Sequence, residues 1–256
     1  MTEATMGSGA KADASRKFYL WMAITCLAIA VVGFMPTYFL PLTQGKFHQP
    51  PLIHIHGMFF FSWVVFFTAQ TWLVSSGRVM NHRDWGLLGI ALAMAMVFMV
   101  FAVVVMRINK FERDGFGEAA RAFSYVQISG AIFFGVVVAL AIINVKKLEV
   151  HKRLMLLATI SLMDAPIARW FLTFVAPPPP PGPEQPPPVF VAFPPALVAD
   201  LLVVAAITYD WRTRGKPHPV WLIGGAALLI EQATRIPISS TPVWQAIAET
   251  IARIGG

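Results

Sequence analysis

Apolar residues fall along this chain in long runs, separated by short segments rich in basic residues, glycine and proline. The runs last roughly 20 residues, the length a helix needs to cross about 30 Å of hydrocarbon. Most show no polar stripe at helical spacing, which a surface helix of a soluble domain would carry. The pattern predicts seven transmembrane helices, at about 18–40, 52–75, 84–106, 122–144, 152–175, 189–209 and 219–237. Helices are required because a backbone facing lipid must satisfy its own hydrogen bonds. The expected fold class is therefore all-α, a polytopic membrane protein.

The loops set its orientation. Arg16 and Lys17 precede the first span, Arg78 and Arg83 separate the second and third, and Lys146, Lys147, Lys152 and Arg153 separate the fourth and fifth. Arg212, Arg214 and Lys216 fall between the sixth and seventh, on the same side. On the other side Arg107, Lys110, Arg113 and Arg121 are offset by Glu112, Asp114 and Glu118. The positive-inside rule then places the N-terminus inside and the C-terminus outside. Residues 1–15 are polar, hold Glu3 and Asp13, and read as a disordered cytoplasmic tail rather than a secretory signal. Residues 16–241 form the membrane domain, with core hairpins at 52–106 and 122–175. Residues 177–188, PPPPPGPEQPPP, predict an extended polyproline segment of roughly 35 Å, a spacer or a contact for a membrane-protein partner. In 242–256, Val243, Ile247, Ile251 and Ile254 recur at helical spacing and predict an amphipathic helix on the outer surface.

Composition narrows the function classes. The chain is 57% hydrophobic and 13% charged, far below the quarter of charged residues usual in soluble domains, and its mean hydropathy is +0.64. Its net charge of +7 sits in loops between apolar spans, so it reads as a topology signal rather than a nucleic-acid surface. The single cysteine, Cys26, can form neither an internal disulfide nor a Cys-based metal site. No lysine lies in the interior of a span, which excludes a retinal Schiff base. There is no Walker A loop, H-E-x-x-H or Asp-rich prenyltransferase motif.

Three groups of residues could carry chemistry. Ile55-His56-Gly57, an apolar run and His82-Arg83 are paralleled by Ile128-Ser129-Gly130, an apolar run and His151-Lys152-Arg153. The two core hairpins thus read as related, with His82 and His151 in equivalent positions at the inner boundary. Such a pair facing across a bundle could supply the axial ligands of a b-type haem, and Gly86 and Gly89 would leave a face open for the macrocycle. The alternative is that both histidines are interfacial anchors. His54 and His56 start the second span and point roughly 200° apart on a helix, so one should face the interior as a ligand or proton carrier. Asp164, Arg169, Asp200, Glu231 and Arg235 lie inside spans five to seven, where ionisable groups are costly unless paired. Glu231 and Arg235 can pair at i, i+4. Asp164 and Arg169 need partners from other helices, and Pro166 should bend span five. The cluster either pins the helices together or serves a proton- or ion-coupled transporter.

Ile55-His56-Gly57, Gln70, Gly77-Arg78, His82-Arg83, Gly86 and His151-Lys152-Arg153-Leu154-Met155 together resemble uncharacterised bacterial multi-spanning membrane proteins with a histidine-bearing core of four helices. That group is distantly similar to the di-haem transmembrane cytochrome b (ascorbate-reducible) superfamily, and the likeness covers about residues 52–165. In those cytochromes two histidines on alternate core helices hold each haem. The resemblance implies haem b on His82 and His151, with His54 or His56 as half of a second pair. Span four offers Ser129, Tyr125 and Gln127 in place of the missing histidine. It further implies redox or haem-handling work in the bacterial cytoplasmic (inner) membrane. A cofactor-free assembly or scaffold subunit is the third reading.

Overall fold

The computed structural model describes the backbone of residues 3–177 and 182–254, with side chains from Asp13 onward in those stretches. Its described residues form helices joined by short turns, and no strand occurs among them. Six helical stretches are long and apolar enough to cross a membrane. Helix α1 (Glu3–Phe34) continues through a π-helical turn at Met35–Phe39 into the short α2 (Leu40–Thr43). Pro36 opens that turn and, lacking an N–H, loosens the ladder where the turn widens. Residues 3–15, expected to be disordered, are helical from Glu3. Four alanines in this stretch favour continuing the helix outward from the first span.

The remaining helices are α3 (Pro51–Ser75), α4 (Val79–Arg113), α5 (Gly117–Ile143), α6 (Leu148–Ile160), α7 (Asp164–Trp170), α8 (Phe193–Arg214), α9 (Pro219–Ser239) and α10 (Pro242–Arg253). Proline sits in the first turn of α3, α8, α9 and α10, where its missing N–H costs nothing. Gly77, Gly115 and Gly215 have positive φ and end α3, α4 and α8. Span five is broken, as Pro166 suggested, in the turn ahead of the proline. The chain leaves the α ladder at Ser161–Met163, where Leu162 and Met163 donate to Thr159 and Ile160 in i→i−3 bonds of 3.2 and 2.9 Å. The proline ring excludes a regular turn ahead of it, so the break precedes Pro166 and starts α7 at Asp164.

Helices α1, α3, α4, α5 and α6 pack in sequence around a ring that closes between α6 and α1. Inside it, the Trp63 indole donates to Thr159 Oγ1 at 3.2 Å and meets Phe134 edge-on at 4.9 Å. Helix α9 lies along α5 and α6, while α8 packs on α7 and α9. Lipid offers little hydrophobic drive between helices, so small residues carry close packing. Ala23, Cys26 and Ala30 line the buried face of α1, and Ala196, Ala199 and Ala206 that of α8. A Cβ on Gly33 would come within 2.5 Å of the Pro166 carbonyl oxygen. Leu87, Phe98, Leu201 and Ile223 belong to a broad exposed apolar belt, which suits contact with a bilayer.

Helix α10 crosses α4 and α5. It buries Trp244, Ala248 and Ala252, leaving Val243, Ile247 and Ile254 exposed. The Trp244 indole donates to the Arg121 carbonyl at 2.8 Å. The proline segment is described at Pro177 and from Gly182 onward; residues 178–181 lie outside the described residues. Its Glu184 is held by Arg107 at 2.7 Å and Lys110 at 3.2 Å, both on α4. The bundle therefore has a proline end, carrying this segment and α10, and an opposite end where α3 passes into α4 and α5 into α6.

Candidate functional site

At the second of these ends α4 and α6 each begin with a basic turn, and each presents a histidine to the other. The His82 and His151 rings lie 6.4 Å apart between centroids, with planes at 72°. Both histidines are half-buried. His151 Nδ1 lies 2.9 Å from the Ala141 carbonyl oxygen. A carbonyl can only accept, so Nδ1 carries a proton and donates to it, and Nε2 is the nitrogen left for a ligand. His82 Nδ1 is buried without a hydrogen-bond partner among the described residues. Gly86, one turn further along α4, opens onto free space, whereas Phe66 fills the face of Gly89, approaching within 2.6 Å of a Cβ built there. The open face expected along both glycines is thus confined to Gly86.

Next to this pair lies an ion pair that the basic character of the loop conceals. Arg153 is 1% exposed and Asp210 0%. Arg153 donates through Nε and Nη2 to the two Asp210 oxygens at 2.8 and 2.5 Å. Its Nη1 reaches the Glu149 carbonyl and carboxylate, each at 2.7 Å. This fork ties α6 to α8, and Asp210 Oδ2 also accepts from the His218 backbone N–H at 3.3 Å. Burial, aided by Arg153 and Arg214, holds the His218 imidazole below its ordinary pKa. Kept neutral, its Nδ1 accepts from Val220 N at 3.2 Å and caps α9. The sequence reading took Arg153 as a topology charge. The available signal was Asp210, an acid just ahead of Arg212, Arg214 and Lys216.

The third group converges on Arg235, which is 3% exposed. Its Nε and Nη2 bind the Glu231 carboxylate at 3.0 and 2.9 Å, and Nη1 binds Asp164 at 3.0 Å. Ser129, the counterpart of His56 in the second hairpin, donates to Glu231 at 2.6 Å. Helices α5, α7 and α9 are thereby joined. Asp200 on α8 accepts from Gln232 at 3.2 Å, a residue the sequence reading passed over because a neutral amide carries no charge signal. Arg169 stands apart, over the Phe34 ring at 5.5 Å.

His54 and His56 point different ways. His54 Nδ1 lies 3.1 Å from the Tyr38 hydroxyl. His56 stacks near Phe60 at 4.5 Å, and its Nδ1 is buried without a partner among the described residues. His56 starts α3 and lies a full helix from the end where α3 meets α4, roughly 25 Å away at 1.5 Å per residue. The structure therefore does not bring it to His82 and His151. Among the described residues no three His, Cys, Asp or Glu side chains come together as a metal site. An apolar groove of about 830 Å³ runs between α5, α6 and α9, with Ser129, Glu231 and Thr234 among its few polar contributors.

Compared with protein-family models, curated proteins and solved structures, the chain matches none of them. Its class rests on the fold: an all-helical protein with six membrane-length helices among the described residues and paired polar groups in its interior.

Proposed function

We propose that this is a haem-b-binding membrane protein, in which His82 and His151 provide the two axial ligands for redox or haem-handling work. The observation that carries the reading is the meeting of these two imidazoles at 6.4 Å between centroids. Two metal–imidazole bonds of about 2 Å each, with the half-widths of two rings, add to roughly 6 Å. The angle between the planes imposes no obstacle, because each ring turns about its own metal–nitrogen bond. The bond from His151 Nδ1 to a backbone carbonyl is the outer contact that orients a ligating histidine and raises its basicity.

The donor set favours haem over a bare ion. A structural zinc site needs four protein ligands, and two histidines cannot supply them. A porphyrin brings four nitrogens and asks the protein for an axial pair. When bound, the group would supply one-electron chemistry. The chain's own part is to hold two imidazoles toward each other, with open space at Gly86.

The same reading treats α9 as a seventh span. Glu231 and Arg235 neutralise one another within it, which lowers the cost of their depth. The basic clusters around His82 and His151 then face the cytoplasm of a bacterial inner membrane, with the N-terminus inside and the C-terminus outside. The test is haem content in purified His82→Ala and His151→Ala chains. Each should keep the folded protein and lose the haem; undiminished haem in either variant contradicts the assignment.

A further inference from the structure

Asp200 and Gln232 form a pair with an unmet need. Gln232 is 3% exposed, and its amide is turned to Asp200, donating from Nε2 to Oδ1 at 3.2 Å. Two acceptor atoms are left over: Asp200 Oδ2 and Gln232 Oε1 are both buried without a hydrogen-bond partner among the described residues. Both are oxygens, so neither can serve the other while Asp200 is ionised. An ionised carboxylate at this depth needs a cation, and the nearby guanidinium is committed. Arg235 spends its bonds on Glu231 and Asp164, and no lysine or arginine pairs with Asp200 among the described residues.

The surroundings of α8 supply no further positive charge. Helix α7 contributes Asp164, with Arg169 directed to Phe34, and α9 contributes Glu231 and Arg235. Helix α6 places Glu149, Lys152 and Arg153 at the far end of α8, beside Asp210. The turn Val189–Ala192 carries no charge. Asp200 is half-buried as a residue, but its free oxygen is buried and unpaired, and a carboxylate so placed resolves its desolvation cost by taking a proton. One proton on Asp200 turns an orphan acceptor into a donor, the kind of partner that Gln232 Oε1 lacks. A small metal cation would need several oxygen ligands, and the described residues assemble no such cluster there.

We propose that Asp200 is a proton-binding site in the membrane domain, holding an exchangeable proton at neutral pH against the Gln232 amide. It is independent of the histidine pair and has its own readout.

The experiment is infrared spectroscopy of the purified full chain in lipid nanodiscs, comparing wild type with Asp200→Asn. At neutral pH the wild type should show a carboxylic-acid carbonyl band that shifts in heavy water and is missing from the variant. The Asn chain should accumulate and melt like wild type, because an amide reproduces the neutral acid. Asp200→Glu should restore an acid band at a displaced frequency. Three results would overturn the proposal: no difference band between wild type and Asp200→Asn, an Asp200→Asn chain that fails to fold, or a band abolished by sodium at constant pH. The last would make the ligand a metal cation.

Discussion

The polar centres within the bundle are built on two opposite principles. Around Arg235 each charged group of the core triad is engaged: the guanidinium holds Glu231 and Asp164, and Ser129 adds a bond to Glu231. The Arg153–Asp210 fork is equally complete. His82 and His151, a short way from that fork, are under-satisfied, with the buried His82 Nδ1 lacking a partner among the described residues. A saturated network has nothing left to offer a ligand and behaves as a rivet between helices. The histidine pair, edge to face at 72°, keeps an unpaired buried nitrogen, and it is there that the proposed function seats a ligand. Incomplete hydrogen bonding, rather than charge, is what sets the histidine pair, like Asp200 and Gln232, apart from these networks.

Substitutions can sharpen that contrast. The largest effect is expected at Arg153→Ala, which strands Asp210 at zero exposure. Breaking one side of a buried pair costs about 3–5 kcal/mol, read as a large drop in thermal stability of the detergent-solubilised chain. Arg235→Ala should follow, leaving two carboxylates facing each other at a cost of about 3 kcal/mol. The companion chain Arg235→Met/Glu231→Met should recover part of that loss, since an apolar replacement of a whole pair removes its desolvation cost. If the double variant is less stable than Arg235→Ala alone, the network is more than a rivet.

Smaller changes are expected elsewhere. His82→Ala removes no charge and no hydrogen bond from Nδ1, so its stability without ligand should change by less than about 1 kcal/mol, measured in the same unfolding assay. The smallest effect belongs to Glu184. Burial raises this carboxyl, but Arg107 and Lys110 outweigh burial and hold it below the ordinary glutamate range. Because the folded value is depressed, the tether contributes fully above the ordinary range and is lost as pH falls through the depressed value. The pair is partly exposed, so the contribution is below about 1 kcal/mol. A label on Gln185→Cys should gain mobility on acidification, and in Glu184→Gln already at neutral pH. Unchanged anisotropy in both would show that the prolines hold the segment unaided.

The features visible in the sequence are those with a local signature. Membrane-length helices follow from run length, and the equivalence of His82 and His151 follows from the repeated boundary pattern. What escaped it depends on distance or size. Arg153 finds Asp210 57 positions away, across two helices, so its loop-like neighbours misrepresent it. Gln232 has no charge to draw attention. In α10 the regular stripe of Val243, Ile247 and Ile254 stays exposed because Ala248 and Ala252 permit the closer approach to α4 and α5. Pro166, by contrast, was legible: the backbone yields in the turn ahead of it, where carbonyls lose their donors.

The most direct measurement is an absorption spectrum of the chain purified in mild detergent from haem-sufficient cells, oxidised and then reduced with dithionite. Ligation by His82 and His151 predicts a Soret band that shifts and sharpens on reduction, at about one haem per chain. A featureless spectrum from well-folded protein would contradict it and leave Asp200 and Gln232 as the site to pursue.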